Sequence, residues 1–132
     1  MHNIDNKLTV MVTGIGGGGN GEQILKALRL TNRYKIIGGD MSPMSKGLME
    51  TDASYLLPPA TDDCYIDSVL AVCKKEKVKA LFYGSEPELK AMSMHRDKIR
   101  NAGIFLPINP KKVIEICMDK VKTSAFLHNL GF

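Results

Sequence analysis

Tryptophan is absent from this 132-residue chain, and aromatic residues make up only 6% of it. Surfaces that stack nucleic-acid bases need more aromatic side chains than that. The Lys and Arg residues are scattered, so the net charge of +4 marks no basic patch and no nucleic-acid partner is expected. Cysteine is scarce too: Cys64, Cys73 and Cys117 form no C-x-x-C pair. Such an odd, widely spaced set argues against a disulfide framework or a zinc site and reads as reduced cytosolic thiols on helices. No apolar run approaches the roughly 20 residues that span a bilayer, and Met1-His2-Asn3-Ile4-Asp5-Asn6 is no secretory signal. His2, His95 and His128 are far apart in sequence, which leaves no ligand-spaced metal cluster, and no Ser/His/Asp or Cys/His set can be assembled. No catalytic residue is assigned.

What remains is 44% hydrophobic and 24% charged, the composition of a globular cytoplasmic protein, with residues 1–132 forming one domain. The most informative stretch is Leu8-Thr9-Val10-Met11-Val12-Thr13-Gly14, which runs into Ile15-Gly16-Gly17-Gly18-Gly19-Asn20-Gly21 and then a helical pattern. A short β-branched run followed by glycines and a helix reads as a buried parallel strand, a tight turn and a helix start. The free N–H groups at such a helix start attract phosphate or carboxylate. Asn20 is the expected N-cap, with Gln23 as its capping-box partner. G-x-G-x-x-G fits in two registers, Gly14/Gly16/Gly19 and Gly16/Gly18/Gly21. Asp40 ends the next apolar run, Tyr34 to Asp40, at roughly the 20-residue spacing where an acidic side chain holds a ribose hydroxyl in dinucleotide folds.

Strand and helix then alternate. Ser54 to Pro58 is a third strand and Asp63 to Lys75 a helix with Ile66, Val69, Leu70 and Cys73 on one face. Val78 to Tyr83 is a fourth strand, and Pro87 opens a helix running through Leu89, Met92 and Ile99. Ile104 to Pro107 is a fifth strand, followed by a short helix through Val113, Ile114 and Cys117 and a last amphipathic segment from Asp119. This pattern predicts an α/β, Rossmann-like, doubly wound parallel sheet of about five strands. Its ligands gather at the carboxyl ends of the strands. Three loops lie there: Gly14 to Gly21, Asp40 to Gly47, and Gly84-Ser85-Glu86-Pro87-Glu88-Leu89. In the third, Ser85 reads either as a plain helix N-cap, with Glu86 and Glu88 near the positive helix end, or with Glu86 as a cleft-facing group.

In order and spacing, these motifs resemble a family. Val-Thr-Gly-Ile-Gly-Gly-Gly-Gly-Asn-Gly-Glu-Gln, Gly38-Gly39-Asp40, Tyr55-Leu56-Leu57-Pro58-Pro59, Gly84-Ser85-Glu86-Pro87-Glu88-Leu89 and Met118-Asp119-Lys120 are similar to the N-terminal pre-ATP-grasp domain. The nearest likeness is to the large subunit of carbamoyl phosphate synthase and related carboxylate–amine ligases. The resemblance implies a substrate-cleft domain of a ligase that activates a carboxylate or bicarbonate as an acyl phosphate for attack by an amine or ammonia. ATP and magnesium would then lie mostly on central and C-terminal domains absent from this chain, and the fragment alone would be inactive. Gly16, Gly17, Gly18, Gly19, Asn20, Gly21, Asp40, Gly84, Ser85 and Glu86 would border the substrate. Lys120 stands where the synthases carry an ATP-contacting Arg, and it lacks that side chain's bidentate fork. The glycine loop is richer in glycine than the synthase pattern, which leaves another carboxylate in place of bicarbonate open. Two other readings stay open: an NAD(P)-binding module of an oxidoreductase or epimerase, using Asp40 and Gly14/Gly16/Gly19, and a nucleotide-sensing domain. A homodimer is also left open.

Overall fold

A computed structural model describes residues 7–132; the amino-terminal stretch 1–6, His2 included, lies outside the described residues. Four parallel strands, β1 (Leu8–Thr13), β2 (Tyr34–Asp40), β3 (Ala53–Leu56) and β4 (Ala80–Phe82), form one sheet in the order β3-β2-β1-β4. Period-2 alternation divides their side chains between two cores. Val10, Val12, Ile36 and Ala80 face one side, where α1 (Asn20–Leu30) contributes Leu25. Met11, Ile37 and Leu81 face the other, where Tyr65, Ile66, Val69 and Cys73 of α2 (Tyr65–Glu76) pack with Met92 and Ile99. Both faces are covered, as a parallel sheet requires. The doubly wound α/β expectation is met.

Two further helices, α3 (Glu86–Met94) and α4 (Arg96–Asn101), occupy the span expected to be one. The break falls at His95, whose backbone (φ −110°, ψ 20°) leaves the helical region. The Arg96 side chain folds back, its Nε donating to the Ser93 carbonyl at 3.1 Å, so an end-of-helix acceptor is satisfied without another turn. The fifth strand shrinks to a single bridge. Phe105 pairs with Ala80, its N–H donating to Lys79 and its carbonyl accepting from Leu81. Pro107, two residues on, has no N–H with which to extend the ladder. The chain closes with α5 (Lys111–Cys117) and α6 (Lys120–Asn129). Asp119 caps α6, accepting from the N–H groups of Val121 and Lys122. No residue of α6 is buried, and Val121, Ala125, Phe126 and Leu127 are spread around the helix, so the amphipathic pattern expected from Asp119 onward is not realised.

Strand order positions the site. From β1 the chain steps to β2 and β3 on one side, then α2 carries it back across to β4 on the other side of β1. The loops leaving β1 and β4 therefore diverge to opposite faces, and a crevice opens between them at this switch point.

Candidate functional site

The corner where β1 and β4 end is built from backbone. A Cβ on Gly21, in the first turn of α1, would sit 2.8 Å from the Thr13 carbonyl oxygen, and one on Gly84 would sit 2.7 Å from the same atom and 2.7 Å from the Gly21 Cα. No side chain fits at either position, so the two loops touch main chain to main chain. Above this corner lies a cleft of about 590 Å³. Gly14, Gly16, Gly17 and Gly19 form one rim and Gly84, Ser85 and Glu88 another. Asp40, Ser42 and Ser45 close a third side, while Met41, Met44, Leu57 and Pro58 add apolar wall.

Two carboxylates organise these rims. Asp40, 8% exposed, accepts from Gly16 N–H through Oδ2 (2.9 Å) and from Ser42 N–H through Oδ1 (2.9 Å), which ties the glycine loop to the loop after β2. Glu88, 6% exposed, is the capping-box partner of Ser85: its Oε2 accepts from Gly84 and Ser85 N–H, each at 3.1 Å. Its Oε1 accepts from the Tyr65 hydroxyl at 3.0 Å. Burial, followed by the charge of Glu88, pushes the Tyr65 phenol well above its ordinary pKa, so it remains a hydrogen-bond donor at neutral pH. A third carboxylate, Glu22, accepts from Gly18 N–H at 2.6 Å and pairs with Lys26, whose hydrogen bond holds it below the usual carboxylate range.

The expected residues separate into three groups. Gly16, Gly17, Gly19, Asp40, Gly84 and Ser85 line the cleft. Gly21 lies buried beneath it, and Gly18 and Asn20 are exposed outside it. Asn20 is not the N-cap. Gly19 takes that place with extended backbone (φ −82°, ψ −175°), and its carbonyl accepts from Gln23 N–H while Glu22, not Gln23, reaches back over the turn. Glu86 points away, exposed in a separate depression with Asp62, Asp63 and Lys90. At N1 of α3 it cannot fold back on the cap, whereas Glu88 at N3 can. Lys120 is exposed at the start of α6 and does not line the cleft. Sequence reasoning missed Glu88 as a cleft residue, along with Tyr65 and Ser45. The Ser85-x-x-Glu88 spacing carried the signal for Glu88.

The strands, glycine corner and switch-point cleft define a Rossmann-like domain, and its likeness to known proteins makes it one of the pre-ATP-grasp kind. The chain belongs to the PylC-like, N-terminal domain family, whose model matches residues 10–107. Among solved structures, N5-carboxyaminoimidazole synthetase from Staphylococcus aureus, complexed with ADP, superposes with a TM-score of 0.65 at 15% identity over 95% of this chain and 30% of that one. The biotin carboxylase domain of a single-chain bacterial carboxylase gives 0.63 at 15% identity over 95% and 29%. Glycinamide-RNase-transformylase T from Mycobacterium tuberculosis gives 0.62 at 15% identity over 88% and 33%. The chain thus spans about a third of these proteins' length. No curated protein matches it by sequence. Among the described residues, no helix is long and apolar enough to cross a membrane.

Proposed function

We propose that this chain is the amino-terminal, substrate-cleft part of a cytoplasmic ATP-dependent carboxylate–amine ligase. One observation carries the reading: the glycine loop after β1 and the Gly84-Ser85 loop after β4 meet on one cleft at the switch point of a domain in the PylC-like family. In this reading the chain encloses an organic substrate while other parts of the protein perform the phosphoryl chemistry, an acid becoming an acyl phosphate that an amine attacks.

The residues of the cleft do not fit ATP and magnesium. No Lys, Arg or His lines it to meet a triphosphate, and among the described residues no three His, Cys, Asp or Glu side chains converge as metal ligands. In this reading the nucleotide is held by other parts of the protein, and the exposed apolar residues of α6, such as Val121 and Phe126, offer a surface to them. A dinucleotide site has less support, because a full dinucleotide fold is built from two mononucleotide-binding halves of about six strands, whereas this sheet has four among the described residues. A volume of about 590 Å³ lies in the ordinary range for small organic ligands, roughly 300–1,000 Å³. The cleft thus has room for an organic substrate.

The test is an ADP-release assay on the protein that contains this chain, with ATP, magnesium and panels of acids and amines. ADP release that requires both an acid and an amine supports the reading. Saturable NADH or NADPH binding by the 132-residue chain, seen as enhanced fluorescence, would overturn it.

A further inference from the structure

Helices cover the two faces of the sheet unequally. On one face Tyr65, Ile66, Val69 and Cys73 of α2 pack with Met92 of α3 and Ile99 of α4. The later helices stack on that same side, α5 against α3 and α6 against α5. On the other face α1 packs against β1 and β2, which leaves β4 and its short neighbour beyond its reach. Phe105 pairs with Ala80, whose side chain lies on the α1 side, while Ile104 and Leu106 on either flank are buried in the opposite core. Alternation along the strand therefore turns Phe105 onto the α1 face, where it is 66% exposed.

A groove of about 360 Å³ follows this strip, between Asn20, Gln23 and Ile24 of α1 and the residues Phe82, Tyr83 and Pro107. No charged side chain lines it. In a chain that is 24% charged, an aromatic strip free of charge is unlike ordinary solvent-facing surface. It matches the centre of a protein contact, which is depleted of charge and enriched in Phe and Tyr. Parallel sheets are found with both faces covered. Two neighbouring strands span about 10 Å, close to the diameter of a helix, about 10 Å. The free place beside α1 is one helix wide.

We propose that an amphipathic helix with an uncharged, apolar face, carried by the protein that contains this chain, packs beside α1 over Phe82 and Phe105 and completes this layer; the proposal rests on the ligase reading. The lining selects such a face, since a Lys, Arg, Asp or Glu laid on Phe82, Tyr83 and Pro107 would lose water and meet no counter-charge. The chain spans about a third of the length of the solved structures it resembles, so proteins of that size have ample polypeptide to supply the helix. A second copy fits less well. Helix α1 rises above the strip by the thickness of a helix, about 10 Å, and would keep two such strips from meeting. Its own exposed side chains Gln23 and Lys26 are polar and make a poor filling for a partner's groove.

Alkylation of a thiol placed on the groove rim by Gln23→Cys provides the test, in the 132-residue chain and in the protein that contains it. Peptide mass spectrometry separates position 23 from Cys64, Cys73 and Cys117. Iodoacetamide should modify position 23 roughly tenfold more slowly in the longer protein, where the docked helix must open first. Adding Phe105→Asp checks the cause. In the 132-residue chain this exposed position should tolerate the change with scarcely any shift in thermal midpoint. In the longer protein it sets a carboxylate beneath the helix, so position 23 should react as fast as in the short chain. Equal rates at position 23 in the two proteins, or protection that survives Phe105→Asp, overturn the proposal. So does sedimentation of the 132-residue chain as a dimer that Phe105→Asp dissociates, since the strip then belongs to a second copy. If the longer protein consumes ATP with an acid and an amine while position 23 stays fully reactive, the ligase reading stands and this proposal alone falls.

Discussion

The carboxylate of Glu88 fills the space beside Gly14 that a side chain at that position would need: a Cβ there would sit 3.1 Å from the Glu88 carboxyl carbon and 3.3 Å from Oε1. Gly14 also holds φ at +63°, the left-handed region. Gly14→Ala should therefore destabilise the chain by about 2–3 kcal/mol, combining about 1–2 for the left-handed backbone with about 1 for disturbing the α3 cap. Gly19→Ala is the matched control. Its backbone is extended and the nearest neighbour of a new Cβ is the Gly84 carbonyl at 3.8 Å, leaving only the lower preference for alanine at an N-cap, so urea midpoints should shift more for Gly14→Ala than for Gly19→Ala.

Glu88→Gln separates charge from shape. The amide oxygen can still accept from Gly84 and Ser85, and its NH₂ can donate to a rotated Tyr65 hydroxyl. Stability should fall by about 1 kcal/mol or less, the net value of an ordinary hydrogen bond. Under the proposed ligase activity, the KM for the organic substrate should rise at least severalfold while that for ATP stays put. Equal changes in both KM values would remove Glu88 from the substrate cleft.

Acid sensitivity should trace in part to Asp52. Partial burial tends to raise its pKa, but the Ile36 N–H at 2.7 Å and the Arg29 guanidinium at 3.0 Å outweigh that and hold its carboxyl below the usual range. A carboxylate depressed in the folded state adds stability that is present above the unfolded pKa of roughly 4 and is lost as pH falls through the lower folded value. The stability gap between the parent chain and Asp52→Asn should be open at pH 6 and close progressively below pH 4. A gap that is constant with pH would show that the charge of Asp52 contributes nothing.

Thiol reactivity should divide the three cysteines. Burial pushes the Cys73 thiol up to about 12, and its Sγ lies 3.7 Å from Met11 Sδ, whereas Cys64 and Cys117 are exposed. Since the thiolate is the nucleophile, iodoacetamide at pH 8 should alkylate Cys64 and Cys117 and leave Cys73 unmodified until the chain is unfolded, as mass spectrometry would show.

Local signals in the sequence were enough for β1, the glycine turn, α1, β2 and Asp40, because hydrophobic period, glycine and spacing all act within a few residues of one another. They also brought the loops after β1 and β4 together, since strand order places them at one switch point. Their limit appears at Glu86 and Glu88. Both sit near the helix start, but the pitch of the helix returns N3 to the cap and leaves N1 in solvent, so an acidic residue near the end is too coarse a description. Tyr65 and Ser45 were illegible for another reason. Tyr65 meets Glu88 across a sequence separation of 23, and the lack of a partner for Ser45 Oγ is a property of its surroundings that no local pattern encodes.

The main-chain contact between Gly21 and Gly84 has a mechanical consequence. With no side chain between them to rotate or compress, the starts of α1 and α3 are coupled as tightly as atoms in one element, so neither rim can shift without the other. The turn from Met41 to Ser45 is attached differently: Asp40 Oδ1 accepts from Ser42 N–H, and Ser42 in turn accepts from the N–H groups of Met44 and Ser45. Hydrogen bonds of that kind open and close at small cost, whereas interlocked backbones do not. Gly47, two residues beyond Ser45, packs on Ile15 with no room for a side chain, a Cβ there falling 2.8 Å from Ile15 Cβ. The far end of this turn is thus pinned to the glycine loop as well, and only the stretch from Met41 to Met44 is held by hydrogen bonds alone.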